Sequence, residues 1–567
     1  MLSIKKGKRP LRNLIVLVLI GCCFALFLSS TGCSSKNSGK KNDVRLVLMV
    51  VIDQLRADIV SRLEHRFGKG GFKYLIDNGI WYKNARYEHV TTLTAVGHAT
   101  LFTGATPAEH GIVGNYWLDR ETGEVIKTIE GPDPQDPSRK IMGPKKLIGT
   151  TIGDELVLAF DRQSRVFCVS IKDRGAILPG GYLGKAFWYN NKTGGFQTSK
   201  YYYKNENDPP WLTAWNKQEK ADQYKNRAWE LLQERSAYIF GKSDNRPEEK
   251  RYNEPPEFNR EAVFPHSLEK YKNQEYYNQL CYTPFGDALT VDFACYVLKE
   301  EKLGQGVFTD MLTVSLSVTD LIGHAYGPCS LEYEDNALHV DAALAKLFQV
   351  VDETVGLNRT LIVVTADHGV DLIPEYRERL GMFAGRIDPA DFENVINRAL
   401  KNKFNLKGDK NFVMGFRNPS IYLDMEAVRT LKLDIREVES AAAEAVMEIP
   451  GIAFAVTRTD MLKGNLVDTP TLGKLKTVFH PKRSGNILIL QEPFWFLYHI
   501  HNKDAAMHGA PYSYDTHVPL FFVGPGIRHR EVYRLVRPRY IAATVALKLG
   551  IGAPSGSSGM PLLEVFQ

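Results

Sequence analysis

Apolar runs closed by an acid set the rhythm of the chain. Residues 45–52 read as a strand buried on both faces that ends at Asp53, and residues 165–170 read as another. Residues 311–318 predict a third strand, ending at Thr319-Asp320. Residues 332–355 place Leu338, Ala342, Ala345 and Val351 on one helical face and feed a strand at 360–365, which ends at Asp367-His368. A late strand is expected at 518–523. Strand, helix, strand in this order predicts an α/β fold: a doubly wound, mostly parallel sheet with helices on both faces. Two stretches break the rhythm. Residues 201–264 are polar and rich in aromatics and prolines, with one helix expected near 221–234. Residues 373–498 carry an α+β pattern of their own: helices at 390–403 and 435–448, a strand at 420–424 and strands near Ile452 and Ile487. Both are expected to be insertions that cap a site above the carboxyl ends of the strands.

Charge changes the picture at one end only. The formal charge is +6, from 71 Lys plus Arg against 65 Asp plus Glu, but Lys5, Lys6, Lys8, Arg9 and Arg12 have no acid beside them in residues 1–32. The remainder is near neutral, so nothing in it marks a nucleic-acid partner. The basic cluster precedes an uncharged run from Leu14 to Leu28 and the small residues Ser30-Thr31-Gly32 before Cys33. That is the layout of a signal peptide over 1–32, of the lipoprotein type, followed by a polar linker over 33–43 and the main domain over 44–567. The expectation is export to the periplasm or cell envelope, with a lipid on Cys33 as the membrane anchor. Of the seven cysteines only Cys168, Cys281, Cys295 and Cys329 follow the leader, with no CxxC spacing, which excludes a disulfide scaffold and a structural zinc knuckle.

Ligands of an open parallel sheet bind outside the carboxyl ends of its strands, so Asp53, Asp320 and Asp367 should converge in one crevice. Histidines accompany them in Asp320-Leu-Ile-Gly-His324, Asp367-His368 and Tyr514-Asp-Thr-His517. Singly, each such Asp is more often a helix cap and each such His an ordinary core or surface residue. Together, three Asp and three His can supply three protein positions to each of two metals, and mixed carboxylate and imidazole donors suit zinc. A helix beginning near Ala95 would put Thr94 at an anion-favouring N-terminus, and a zinc held by Asp53, Asp367 and His368 would activate its hydroxyl. The second zinc would then belong to Asp320, His324 and His517. His508 and Asp515 stand close to His517 in the chain and are candidates to orient it.

Thr94-Ala-Val-Gly-His98, followed by Thr106-Pro-Ala-Glu-His-Gly-Ile-Val-Gly-Asn115, resembles the nucleophile region of the alkaline phosphatase superfamily in its threonine branch, and the six ligands fall in the order of that superfamily's two-zinc site. Ser170-Ile-Lys172-Asp-Arg174-Gly-Ala-Ile-Leu-Pro179 resembles the phosphate-irrepressible alkaline phosphatases. The resemblance implies a two-zinc phosphomonoesterase with Thr94 as nucleophile, also bound to zinc, and with Asn115, Lys172 and Arg174 holding the phosphoryl group. Its substrates would be small phosphate monoesters, and a monomer is favoured. Nucleotide pyrophosphatase/phosphodiesterases share Thr94, Asn115 and the ligand set but not the Lys-Asp-Arg motif. A noncatalytic surface protein on the same fold would be expected to have lost ligands.

Overall fold

The computed structural model describes residues 44–133, 135–203, 208–249, 263–497 and 504–567. The expected leader, Cys33 and the linker over 33–43 lie outside these residues, as do parts of the stretch 201–264.

Nine strands among the described residues build the central sheet: β1 (Leu46–Ile52), β2 (Ile80–Tyr82), β3 (Val166–Ser170), β4 (Lys185–Asn190), β5 (Gly195–Gln197), β6 (Asp310–Leu316), β7 (Thr360–Thr365), β8 (Leu520–Val523) and β9 (Arg530–Val532). Their spatial order is β5-β4-β3-β6-β1-β7-β8-β2-β9. The five strands from β4 to β7 in that order are parallel, β5 and β8 run against their neighbours, and β2 pairs in parallel with β9. Every residue of β1, β6 and β7 is buried, which is why these segments read as unbroken apolar runs rather than as alternating ones. The sheet is therefore mixed but mainly parallel, the α/β class expected.

Five helices accompany these strands and bear on the site: α1 (Thr94–Thr103), α2 (Asp173–Gly180), α3 (Pro284–Glu300), α4 (Val318–Tyr326) and α5 (Leu331–Thr354). A second sheet, antiparallel, orders its strands as Val413–Arg417, Ser420–Leu423, Ile487–Gln491 and Ile452–Thr457. Helices Pro389–Lys403 and Ile435–Val446 pack on it through Phe392, Ile396, Val438 and Ala442, giving this part its own apolar core.

Two expected elements differ. The run 311–318 does not continue as a strand to Thr319-Asp320: β6 stops at Leu316 and Val318 opens α4. The cause lies in another helix. Asp287 of α3 accepts hydrogen bonds from Ser317 N at 3.0 Å and Val318 N at 3.2 Å, capping α4 from outside its own sequence. The helix expected over 221–234 is replaced by a 3-10 turn at Lys220–Tyr224 and a short strand at Ala228–Trp229. Trp229 is drawn inward, its indole donating to Asp335 Oδ2 at 2.6 Å while its backbone pairs with His266. Tertiary contacts thus override local helix propensity here.

Gly97 lets helix and sheet come into close approach. A Cβ at this position would lie 2.3 Å from the main-chain oxygen of Asp367, which follows β7. Neither backbone can yield without moving α1 or the β7 loop. We therefore expect Gly97→Ala to destabilise the fold by about 1–3 kcal/mol or more through overpacking, read as a fall in Tm. An unchanged Tm would contradict this packing.

Candidate active site

The loops at the carboxyl ends of β1, β3 and β7, with the first turns of α1 and α4, meet in one place. Asp53 follows β1 and its amide donates to Leu316 O at 2.9 Å, tying it to the end of β6. Asp320 sits in the first turn of α4 and Asp367 two residues beyond β7. All three carboxylates are buried. Gln54, also fully buried, links two of them: its amide N donates to Asp367 Oδ1 at 3.1 Å and its side chain to Asp320 Oδ1 at 2.8 Å. The same side chain explains Gly323, where a Cβ would stand 1.7 Å from Gln54 Oε1.

Three histidines face the carboxylates. His368 Nε2 lies 3.4 Å from Asp53 Oδ1 and 3.5 Å from Asp367 Oδ2. His324 Nε2 and His508 Nε2 are each 3.3 Å from Asp320 Oδ1 and 3.2 Å from one another. In every case the other ring nitrogen meets a backbone carbonyl: His368 Nδ1 and Gly369 O at 3.0 Å, His324 Nδ1 and Ala506 O at 2.8 Å, His508 Nδ1 and Thr92 O at 2.6 Å. A carbonyl can only accept, so each Nδ1 carries a proton and Nε2 is the ring atom turned toward the acids. Buried and without a hydrogen-bond partner are Asp53 Oδ1, Asp367 Oδ2 and His368 Nε2. Unpaired acceptors of this kind, converging in a buried pocket, are a donor set for metal cations. Two groups can hold an ion, Asp320 with His324 and His508, and Asp53 with Asp320 and His368. Asp367 borders the second through His368.

The electrostatics follow from packing three acids together. Burial raises the Asp53 carboxyl well above its usual range, and the charges of Asp320 and Asp367 add to the effect. Asp320 is held well below its usual range, because His324 and Lys172 outweigh the burial that opposes them. Against the burial of its ring, Asp320 in turn pushes His324 up to about 10, whereas burial drives His368 down to about 3.

Thr94 is the first residue of α1. The N-cap is Leu93, so the Thr94 hydroxyl has no capping duty. Its Oγ1 lies 3.4 Å from Lys172 Nζ, which itself reaches Asp53 Oδ2 at 2.6 Å and pairs with Asp320 Oδ2. Asn115 Oδ1 accepts from Ala95 N at 3.0 Å, fixing this side chain at the same helix start. His98, one turn on, joins Thr94 O at 2.9 Å to Ser315 Oγ at 2.9 Å and approaches Asp367 Oδ2 at 3.4 Å. Arg174 lies in the first turn of α2, whose N-cap is Lys172; the two line an open cleft of about 590 Å³, and Arg174 Nε is buried with no hydrogen-bond partner.

Of the ten residues expected as ligands, nucleophile or phosphoryl-binding groups, nine are thus brought together: Asp53, Thr94, Asn115, Lys172, Arg174, Asp320, His324, Asp367 and His368. His517 is not. Its Nε2 meets Lys83 O at 2.9 Å, and its backbone pairs with Arg86 in a two-stranded ladder away from the acids. The position by Asp320 and His324 expected for His517 is taken by His508, nine residues earlier on the same segment. Gln54 carries no sequence pattern of its own; His98 stands in the sequence only as the end of the Thr94-Ala-Val-Gly-His98 motif, and His508 as a candidate to orient His517 rather than as a ligand.

A family model described as type I phosphodiesterase / nucleotide pyrophosphatase matches residues 47–512. Among curated proteins, one from Myroides odoratus named a calcium-transporting ATPase is 33% identical, covering 96% of this chain and 98% of its own. Alkaline phosphatase PhoV of Synechococcus elongatus is 32% identical over 96% and 98% of the two chains. Alkaline phosphatase PafA of Elizabethkingia meningoseptica is 32% identical over 92% and 94%. A crystal structure of wild-type PafA superposes with a TM-score of 0.83 at 30% identity, covering 92% of this chain and 99% of that one. A second PafA structure is a mutant altered at one threonine, one asparagine, one lysine and one arginine.

The two histidines of the segment make opposite predictions. His508→Ala should lose one bound metal and lower turnover at least about 100-fold, while His517→Ala keeps the metal content and stays within about threefold of wild type. Metal analysis with steady-state rates on both variants checks this; the reverse pattern would restore His517 to the site.

Proposed function

The chain belongs to the type I phosphodiesterase / nucleotide pyrophosphatase family, and from that premise we propose that it is an alkaline phosphatase, an enzyme that hydrolyses small phosphate monoesters through a phosphothreonine at Thr94. Its full-length likeness to PhoV and PafA supports the phosphatase class. The observation that carries the preference for monoesters is Lys172 Nζ at 3.4 Å from Thr94 Oγ1, with Arg174 beside Lys172 in the same cleft. The side chains altered in the PafA mutant include a threonine and an asparagine, and a lysine and an arginine, with the same spacing within each pair as Thr94 to Asn115 and Lys172 to Arg174.

Two zinc ions would be held by this donor set, one by Asp53 and His368 with Asp367 beside them, next to Thr94, the other by Asp320, His324 and His508. Zinc bound there supplies Lewis acidity, which lowers the pKa of a hydroxyl or water and offsets charge on the leaving oxygen. The rest is done by the chain. Thr94 Oγ1, freed from capping, gives up its proton to solvent and attacks phosphorus; the bond to the ester oxygen breaks, and the leaving oxygen departs on the opposite side and takes a proton from solvent to give the alcohol. Water then cleaves the phosphothreonine from the face that the alcohol left, so two inversions give net retention at phosphorus. A monoester dianion has three nonbridging oxygens where a diester has two and a second organic group. Lys172, held by Asp53 and Asp320, offers a point charge, Arg174 a planar fork and Asn115 an amide whose oxygen is already held by Ala95 N.

Three outcomes test this reading. Acid trapping during turnover should leave phosphate on Thr94 and not on Thr91 or Ser170, as read by peptide mass spectrometry. Arg174→Ala, and more so its combination with Lys172→Ala, should lower monoester kcat/KM by about two orders of magnitude or more while sparing a matched aryl diester, since each charge-assisted contact is worth about 2–4 kcal/mol of barrier. Equal losses on both esters would point to the diesterase. The exported lipoprotein is a proposal from the leader alone, and Cys33→Ala should release active enzyme from the membrane fraction; continued retention would make residues 1–32 the anchor.

A further inference from the structure

The loop that carries His508 has almost no secondary structure of its own, yet its imidazole stands within 3.3 Å of Asp320. What fixes it is visible in its hydrogen bonds. Asp515, fully buried, turns one oxygen back on the loop: Oδ2 accepts from Gly509 N at 2.9 Å, Ala510 N at 2.8 Å and Thr92 Oγ1 at 3.2 Å. Thr92 closes the ring, since its carbonyl is the one that takes the proton of His508 Nδ1. From the other side comes the second sheet. Asn418, in the hairpin between its first two strands, donates Nδ2 to Gly509 O at 3.0 Å, and Lys474 donates to Pro511 O. Tyr512 Oη donates to Gln491 O at 2.7 Å, and Phe494 N to Tyr514 Oη at 3.2 Å. Gly509 has φ +113, and a Cβ there would meet Asn418 Nδ2 at 2.6 Å, so the turn is tight on both sides.

We propose that Asp515 and Asn418 are positioning residues that clamp the Gly509–Ala510 turn from opposite sides and thereby set the direction of the His508 imidazole, which makes the second sheet a support for one metal position rather than only a cap over it. This rests on the two-zinc reading of the site. Neither residue touches substrate or metal. A carboxylate that accepts two successive backbone N–H groups fixes the turn more stiffly than a side chain packed against it. Removing it frees the ring to rotate, and the loss falls on the position that His508 serves.

The test compares zinc affinities of the mature protein, measured by competition with a chromogenic chelator, with the dependence of kcat on free zinc. In Asp515→Ala one of the two zinc affinities should fall about 10- to 100-fold while the other is unchanged, and saturating zinc should restore most of kcat. Asp515→Asn keeps an acceptor oxygen and should lose less. Asn418→Ala, a change in the second sheet, should weaken the same zinc and carries the test if Asp515→Ala does not fold. Unaltered zinc affinities in folded variants, or an equal loss at both positions tracking a fall in Tm, would overturn the clamp. A wild-type protein that retains no zinc would instead overturn the two-zinc reading, so the two failures are distinct.

Discussion

Three carboxylates buried within reach of one another are the constraint on which the rest of this structure depends. Asp53, Asp320 and Asp367 are all removed from water, and each desolvated ion costs several kcal/mol unless it is met by opposite charge and hydrogen bonds. Much of the surrounding chemistry is the answer to that cost. The Lys172 ammonium lies between Asp53 and Asp320, His324 stands against Asp320, which raises its pKa, and Gln54 distributes donors to Asp320 and Asp367. The acceptors that remain unmatched, on Asp53, Asp367 and His368, define where cations belong.

The architecture explains how such a cluster can exist in a stable chain. Asp53 and Asp367 follow neighbouring parallel strands, Asp53 N being bonded to Leu316 O at the end of β6, and Asp320 lies in the first turn of α4, so repulsion cannot simply push the three apart. α1 and α4 add their first turns to the same rim, and each is placed by a contact at long range: α1 by the fit of Gly97 against Asp367, α4 by the Asp287 cap on Ser317 and Val318. The site is therefore assembled from segments hundreds of residues apart, and its geometry is inherited from the sheet.

Lys172 connects the charge problem to the reaction. It lies within 3.4 Å of the Thr94 hydroxyl, the group proposed to attack phosphorus, while bonded to two acids. Together with Arg174, which lines the same cleft, it forms the cationic pair on which the proposed preference for a monoester dianion rests.

The sequence by itself determined the sheet and most of the rim. Strands buried on both faces have to be continuous apolar runs, so β1, β3 and β7 are directly legible and the acids at their ends follow. Thr94, Asn115, Lys172 and Arg174 are legible because their neighbours form local motifs. What the sequence did not settle was any feature fixed by contacts at a distance. Asp320 reads as a strand terminus and is a helical residue, because Asp287 from another helix caps the turn before it. Trp229 falls in an expected helix and lies in a strand, because its indole is bound by Asp335. Between His508 and His517 the choice belonged to tertiary structure alone: both lie on one short segment, and only the hydrogen bonds of Asp515, Thr92 and Asn418 decide which imidazole is turned toward Asp320.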